Sequence, residues 1–151
     1  MVVDQIFITK SASETQKLGE RLAHRLKGGE IIGLVGELGS GKTTFVQGLA
    51  KGLGIKKRII SPTFVFIRIY DMQLHETKRK TTGKLYHVDL YRIEQTEEVA
   101  GLGLEEIWSD PKNIVVIEWA EKIERILPQK AIKIYFEYVG ENKRKVIIPN
   151  F

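Results

Sequence analysis

Apolar residues recur along the chain with two spacings, one typical of strands and one typical of helices. Short apolar runs or a two-residue alternation predict β-strands in six segments. These are residues 5–9, 30–35, 85–90, 113–118, 131–139 and 144–148. Residues 30–35 and 113–118 are apolar at nearly every position, which is typical of strands covered on both faces. Residues 63–70 are predicted to be extended, and the polar stretch 71–84, which has no apolar period, to be a long hairpin loop.

Two segments carry apolar residues at the four-residue spacing of an amphipathic helix. We expect the first helix to begin at Ser13, with Gln16 as its capping-box partner, and to end at Gly28. Its buried face is predicted to consist of Leu18, Leu22 and Leu26. The second helix is predicted over about residues 41–53. A short helical region is expected between Thr96, as its cap, and Trp108.

Strands that alternate with helices predict an α/β fold. The 151 residues are enough for a single domain, which we expect to span residues 1–151. The last two strands flank residues 140–142 and are predicted to form a C-terminal β-hairpin, so the sheet is mixed. The expected architecture is a three-layer sandwich, with a mixed β-sheet flanked by helices.

Composition excludes several classes of protein. The chain has no cysteine, which excludes disulfides, thiolate zinc sites, iron–sulfur clusters and cysteine nucleophiles. The longest apolar stretch, residues 31–36, is far shorter than the ~20 residues of a membrane-spanning helix. The first four residues also lack the basic and then apolar order of a signal peptide. We therefore expect a soluble, cytoplasmic protein.

The charge is mildly basic, with 24 Lys and Arg against 19 Asp and Glu, a net charge of +5. That excess is too small to indicate a nucleic-acid-binding protein by itself. Nine of the basic residues lie in the runs 56–58, 78–80 and 143–145. These runs are either solvated turns and charge-protected edge strands or a docking surface for an acidic partner such as RNA.

One motif dominates the sequence: residues 36–43, Gly-Glu-Leu-Gly-Ser-Gly-Lys-Thr, match the Walker A phosphate loop. The motif directly follows a predicted buried strand and directly precedes an amphipathic helix. Its glycines let backbone amides turn toward phosphate oxygens, and the helix adds its N-terminal dipole. Lys42 is expected to reach the β- and γ-phosphates, and the Thr43 hydroxyl to ligate Mg²⁺. The sequence thus predicts a nucleoside triphosphate site in a P-loop NTPase-like sandwich.

A triphosphate site also needs a carboxylate near the metal, and two candidates follow predicted strands. Glu118 comes directly after four apolar residues and is the better Walker B candidate. Asp89 follows a strand with polar neighbours and is a candidate to hold metal-bound water or, alternatively, to cap a turn. Either carboxylate is a candidate Mg²⁺ ligand, together with Thr43.

The bound nucleotide is predicted to be ATP, by elimination. The Asn-Lys-x-Asp motif that reads guanine in GTPases is absent, because Asn142-Lys143 is followed by Arg144-Lys145. Adenine has no comparably strict motif.

Four segments together resemble the bacterial TsaE family, the ATPases of tRNA threonylcarbamoyladenosine biosynthesis. They are the loop 36–44, Ser-Pro-Thr-Phe at 61–64, His-Val-Asp-Leu-Tyr-Arg at 87–92, and Glu-Trp at 118–119. The resemblance spans about residues 5–140. It implies a weak ATPase that acts with the two related subunits of the threonylcarbamoyl-transfer complex, and with tRNA directly or through that complex.

The resemblance also implies roles for particular residues. It places Thr63 near the γ-phosphate and Glu118 near Mg²⁺ and the attacking water, with Trp119 beside Glu118. Adenine is placed, loosely, near the N-terminal segment and the C-terminal strands. The predicted catalytic residues are Lys42, Asp89 and Glu118, and the predicted metal ligands are Thr43, Asp89 and Glu118. The predicted nucleotide-binding residues are Ser11, Ala12, Glu37, Leu38, Gly39, Ser40, Gly41, Lys42, Thr43, Thr44, Thr63, Trp119 and Asn142.

Two other functions remain open at this point. In a small-molecule kinase of the phosphate-loop class, residues 72–84 would act as a lid over an acceptor. In a non-hydrolysing subunit, ATP would only lock the fold, although two strand-end carboxylates favour hydrolysis. Arg92 is the best internal candidate for an arginine finger, and a salt bridge to the Asp89 segment is the alternative. Without such an arginine, turnover by the isolated chain is expected to be slow and to rise with partners.

Overall fold

The computed structural model describes residues 3–61, 66–72 and 83–151, which form a seven-stranded mixed sheet with helices on both faces. The strands are β1 (Asp4–Thr9), β2 (Ile31–Val35), β3 (Ile67–Asp71), β4 (Lys84–Asp89), β5 (Ile114–Glu118), β6 (Ile132–Gly140) and β7 (Lys143–Pro149). Their order across the sheet is β1-β7-β6-β2-β5-β4-β3. The central strands β6, β2, β5 and β4 are parallel, whereas β1, β7 and β3 run antiparallel to their neighbours. The predicted mixed α/β sheet with a C-terminal hairpin is confirmed.

The strands β3 and β4 pair antiparallel, as the two arms of the predicted hairpin. The extended segment predicted at 63–70 is a strand from Ile67 onward. Most of the long loop predicted between these strands, residues 73–82, lies outside the described residues. So do residues 62–65 and the basic run 78–80.

The described residues form three α-helices, α1 (Ala12–Ala23), α2 (Lys42–Gly52) and α3 (Leu104–Ser109), and 3₁₀ helices at Thr96–Leu102 and Ala120–Ile123. The predicted start of α1 at Ser13 is wrong. Ser11 is the N-cap, and its hydroxyl accepts a hydrogen bond from the Glu14 N–H at 3.1 Å. The chain is still extended at Ser11 as it leaves β1, which is the backbone conformation that an N-cap needs.

Two other helix boundaries also differ from the predicted ones. The helix α1 ends at Ala23, and Leu26 is buried beyond it rather than within it. Gln95, not Thr96, caps the 3₁₀ helix, because Gln95 and Glu98 exchange the two reciprocal bonds of a capping box. Gly103, at φ +71°, then separates that helix from α3. At the start of the 3₁₀ helix, the boundary depends on which neighbouring side chain accepts hydrogen bonds from the free backbone amides.

The core has two layers, one on each face of the sheet. Ile32 and Leu34 of β2 pack toward α1 and α2, whereas Ile31 packs toward α3 and the 3₁₀ helices. The strand β5 divides in the same way, because successive side chains of a strand point to opposite faces. Apart from Glu118 at the end of β5, both strands are apolar because both of their faces are covered, as predicted for central parallel strands.

The helices α1 and α2 lie so close together that glycine is required where they cross. A Cβ atom on Gly48 of α2 would lie 1.9 Å from the backbone oxygen of Gln16 in α1. A Cβ atom on Gly19 of α1 would lie 2.4 Å from the backbone oxygen of Phe45 in α2. This close crossing fixes α2, and with it the phosphate loop that precedes α2.

Replacing Gly48 with alanine should therefore destabilise the protein. The methyl group meets backbone that cannot rotate away, and overpacking of this kind costs about 1–3 kcal/mol, more than the gain in helix propensity. The measurement is the urea unfolding midpoint. Gly101→Ala is the matched control, since its Cβ would have no atom within 4 Å. Equal midpoints for the two variants would contradict this account of the crossing.

Candidate nucleotide-binding site

The loop between β2 and α2 has the backbone that a phosphate-binding loop needs. Gly39 and Gly41 have φ values of +78° and +104°, in the left-handed region that favours glycine. A Cβ atom on Gly36 would lie 2.6 Å from the Ser40 Oγ and 2.7 Å from the Phe136 backbone oxygen. Among the described residues, no side chain caps α2, so its first amide N–H groups are available to an anion at the loop.

The side chain of Lys42 is folded back over this loop. Its Nζ donates hydrogen bonds to the backbone oxygens of Gly36 and Glu37, the latter at 3.0 Å. The same Nζ lies 3.9 Å from the centroid of the Trp119 ring. Burial lowers the pKa of Lys42, and nearby carboxylates, chiefly that of Glu118, act in the opposite direction. Phosphate oxygens that bind here would exchange with the two carbonyls as partners of the ammonium group.

The Glu118 carboxylate lies between the phosphate loop and the neighbouring strand β4. Its Oε1 accepts a hydrogen bond from the Thr43 hydroxyl at 2.8 Å. Its Oε2 lies 2.6 Å from the Nε2 of His87. Glu118 is only 3% exposed and His87 is fully buried. The sequence indicated Thr43 and Glu118 as candidates, and the fold brings these two residues, 75 positions apart, into contact.

Asp89 lies beside Glu118 and makes a different set of contacts. The two residues are paired in the register of β4 and β5, at the carboxyl ends of both strands. The Oδ2 of Asp89 accepts a bond from the Ser61 hydroxyl at 2.8 Å, and its Oδ1 accepts one from the Tyr91 N–H at 3.0 Å. Asp89 therefore caps the turn after β4 and also holds the segment that leads to residues 62–65. Glu118 is the carboxylate that contacts the predicted metal-binding hydroxyl.

Trp119 forms one wall of the site in an uncommon backbone conformation. Its φ of +63° is left-handed, which is rare for a bulky residue and is retained only where the surroundings enforce it. Its ring lies 5.3 Å from that of Tyr91 and 5.4 Å from the Nζ of Lys122. Lys122 in turn donates to the backbone oxygens of Tyr91 and Ile93, the latter at 3.0 Å. These contacts tie the turn after β5 to the turn after β4.

A cavity of about 570 Å³ opens between these elements, and it is lined by most of the residues singled out in the sequence. Those residues are Ser11, Ala12, Leu38, Gly39, Ser40, Gly41, Lys42, Thr43, Thr44, Asp89, Glu118, Trp119 and Asn142. Glu37 contributes its backbone oxygen to Lys42. Thr63 lies outside the described residues. The roles of these residues in binding and catalysis remain predictions.

Four further residues line the cavity: Thr15, Ser61, Tyr91 and Arg144. Arg144 lies at the cavity because of the tertiary fold. Its Nε donates a hydrogen bond, at 3.0 Å, to the backbone oxygen of Gly39, which is 105 positions away in the sequence. Its NH1 also donates to the Gly140 oxygen at 3.1 Å, and its guanidinium lies over the Tyr138 ring. No spacing in the sequence points to this contact. The only signal was that Arg144 belongs to a basic run.

The two basic runs among the described residues differ in their surroundings. Residues 56–58 are exposed. In the run 143–145, Arg144 turns into the cavity, and the Nζ of Lys145 lies 3.5 Å from the Oε2 of Glu137. The two runs therefore do not present a uniform set of exposed charges.

The residues present fit a nucleotide with Mg²⁺. The Ser40 Oγ is buried at the cavity and has no hydrogen-bond partner within the described part of the chain. The available donors are hard oxygens, from Thr43, Glu118 and Asp89, which is the donor type that Mg²⁺ prefers. Across the described ranges, no group of three or more His, Asp or Glu side chains is arranged to hold a metal by itself. The oxygens of Thr43, Glu118 and Asp89 suit a Mg²⁺ ion that is shared between the protein and phosphate oxygens.

A search of the described residues for a helix with the length and apolar character needed to span a membrane finds none.

The fold is similar to a solved structure. The crystal structure of YdiB from Bacillus subtilis superposes with a TM-score of 0.76 and 32% sequence identity. The match covers 99% of this chain and 86% of that one. The α/β fold is confirmed by this likeness.

Sequence comparison gives the same relationship. A family model described as "Threonylcarbamoyl adenosine biosynthesis protein TsaE" matches residues 9–146. The "tRNA threonylcarbamoyladenosine biosynthesis protein TsaE" of Aquifex aeolicus is 41% identical, covering 93% of this chain and 92% of the relative. The protein of the same description from a Nostoc species is 41% identical, covering 100% and 90%. The one from Bacillus subtilis is 36% identical, covering 91% and 80%. The chain belongs to the TsaE family.

Proposed function

We propose that this chain is a Mg²⁺-dependent ATPase required for threonylcarbamoyladenosine modification of tRNA. It acts in the cytoplasm with the two related subunits of the threonylcarbamoyl-transfer complex. Membership of the TsaE family, whose relatives carry that pathway in their names, supports the assignment. One observation supports hydrolysis in particular: the Thr43 hydroxyl and the Glu118 carboxylate lie 2.8 Å apart at the mouth of the phosphate loop.

The cavity accounts for nucleotide binding. The amides at the start of α2 and the Lys42 ammonium, which lines the cavity, would hold the phosphate oxygens of the nucleotide. Ser40, which is buried without a partner among the described residues, supplies a further hydroxyl. Ser11, Ala12 and Asn142 line the same cavity and are the residues assigned to the adenosine end. They belong to the start of α1 and to the β6–β7 turn, the regions that the resemblance to the TsaE family implied for adenine.

The two carboxylates account for hydrolysis. Thr43, Glu118 and Asp89 are the residues that would hold Mg²⁺, which on binding neutralises charge on the phosphoryl oxygens. Glu118 orients the attacking water in line with the leaving oxygen, and its two existing hydrogen bonds hold the carboxylate in place for that task. Asp89 keeps the turn after β4 in position beside it. Lys42 stabilises the negative charge that develops during transfer.

The surroundings of Arg144 support slow turnover by the isolated chain. Within the described ranges, Arg144 is the arginine that lines the cavity, and backbone oxygens of Gly39 and Gly140 accept its hydrogen bonds. Because backbone oxygens take up its hydrogen bonds, this guanidinium is not placed to stabilise the negative charge that develops on a phosphoryl group during transfer. Partners that complete the site would then raise the rate, as arginine fingers supplied in trans do in other phosphate-loop enzymes.

The experiment measures phosphate release from ATP with Mg²⁺ by the chain alone, then with the two partner subunits, unmodified tRNA and an activated threonylcarbamoyl donor that supplies the transferred group. Modified adenosine in the tRNA is quantified by mass spectrometry in the same samples. We expect slow release by the chain alone, stimulation by the partners, and modification only when the chain and ATP are both present.

Other outcomes would contradict the proposal in distinct ways. Release that ignores the partners would leave a generic phosphate-loop enzyme, and phosphate transfer to an added nucleoside or sugar would make it a kinase. Tight ATP binding without release above background would make it a non-hydrolysing subunit.

A further inference from the structure

A fully buried histidine contacts the Glu118 carboxylate from the neighbouring strand. His87 pairs with Val116 in the register of β4 and β5, and Asp89 pairs with Glu118. Because alternate residues share a face of the sheet, His87 and Glu118 lie on the same face, the one that α1 and α2 cover. The His87 Nε2 and the Glu118 Oε2 are 2.6 Å apart, a short, charge-assisted distance.

The environment of His87 shows that this bond is the main polar interaction of its ring. The Nδ1 is buried and has no partner within the described residues. A polar ring in a packed layer costs free energy unless it is hydrogen-bonded, and an apolar side chain of similar size would avoid that cost. A carboxylate can only accept, so the ring donates from Nε2 and leaves Nδ1 as a bare acceptor. Packing alone therefore does not explain a histidine at this position.

The two oxygens of Glu118 have partners of different kinds. Oε1 receives the Thr43 hydroxyl, which is itself assigned to the metal and lines the cavity. Oε2 receives His87, which is not among the described residues that line the cavity. The hydrogen bond from His87 therefore holds the Glu118 carboxylate from the interior of the protein. It does so whether or not the Thr43 hydroxyl keeps its bond to Oε1. His87 is out of reach of a nucleotide in the cavity and can act only through Glu118.

We propose that His87 is a positioning residue that holds the Glu118 carboxylate by an Nε2–H···Oε2 bond in the orientation needed for hydrolysis. The proposal rests on the proposed function for its effect on turnover. It does not require any change in the charge of His87.

The test compares His87→Met with His87→Gln, which have similar length and flexibility but differ in the presence of an N–H donor. We expect His87→Met to lower kcat by about tenfold, as loss of an outer hydrogen-bonding partner does at metal sites, with little change in KM for ATP. His87→Gln should recover most of that loss. Urea unfolding midpoints of both variants are measured alongside, because a purely structural role would lower them together with the activity.

A second measurement does not depend on activity. Long-range ¹H–¹⁵N NMR of the nucleotide-free protein should show His87 with its proton on Nε2. The Nε2 resonance of His87 should shift in the Glu118→Gln variant, while that of His24 should not.

The outcomes separate this proposal from the proposed function. Native kcat in His87→Met, or equal losses in both variants with lowered midpoints, would overturn the positioning role. An Nε2 without a proton would overturn the bond itself. If the native chain releases no phosphate, the proposed function fails, and the role of His87 in hydrolysis fails with it. The NMR measurement then still decides whether His87 holds Glu118.

Discussion

Replacing Glu118 with glutamine should reduce ATP turnover by about 10²–10⁴-fold while leaving ATP affinity within about threefold of the native value. The amide has the shape of the carboxylate but neither its charge nor its ability to take up a proton from water. The variant should fold, because the amide oxygen can accept from His87 and the amide nitrogen can donate to the Thr43 oxygen. Neither buried partner is then left unpaired.

Two measurements are needed for Glu118→Gln, single-turnover phosphate release and calorimetric titration with a non-hydrolysable ATP analogue. Glu124→Gln is the matched control, since it removes the same charge from an exposed pair with Lys133 outside the cavity. Its turnover should equal that of the native chain, because exposed pairs contribute little. A Glu118→Gln variant that binds ATP poorly but turns over the bound fraction normally would limit Glu118 to metal affinity.

Replacing Lys42 with methionine should weaken binding of the ATP analogue by about 10- to 150-fold, the equivalent of about 1.5–3 kcal/mol for a charged hydrogen bond. Methionine keeps an unbranched apolar side chain and removes the ammonium group, whose Nζ lies 3.9 Å from the centroid of the Trp119 ring. This loss of affinity is smaller than the loss expected for an ammonium group without other partners. The Lys42 ammonium also donates to two backbone carbonyls, with which phosphate oxygens compete. The free energy of unfolding should not fall, since burial lowers the pKa of this amine and so disfavours its charged form.

Lys51→Met is the matched control for Lys42→Met. Lys51 lies on the same helix, its side chain is 76% exposed, and it pairs with Glu20 at 3.3 Å. Its loss should leave the affinity for the analogue unchanged. An unchanged affinity in Lys42→Met would contradict the assignment of residues 36–43 as a phosphate loop. Equal losses in both variants would point to general electrostatic attraction instead.

Local features of the fold were predictable where neighbouring residues determine them. The phosphate loop is the clearest case, because its glycine spacing, the preceding strand and the following helix are all read within about 20 residues. Residues 30–35 and 113–118 were predictable as central strands, because short runs that are apolar at nearly every position are typical of strands covered on both faces. The cap of α1 was not predictable. Ser11 and Ser13 have the same chemistry, and the exit angle of β1 decides between them.

The candidate site was predictable only in part. Both carboxylates were identified, but the choice between them depended on β5 lying between β2 and β4 in the sheet, which brings Glu118 to Thr43. Arg144 and His87 were missed because their partners are 105 and 31 positions away. Neither contact leaves a periodicity or a motif in the sequence.

The sequence by itself determined the α/β class, the phosphate loop and the family. Each can be recognised from short stretches of neighbouring residues, and the spacing within each stretch follows from backbone geometry. Only the tertiary structure decided which carboxylate accepts the hydrogen bond of Thr43 and which arginine donates to the phosphate loop. It also decided that a buried histidine holds Glu118. The physical reason is that strand order and register are set by the packing of the whole core. Contacts between distant segments are a consequence of that packing and not of any local pattern.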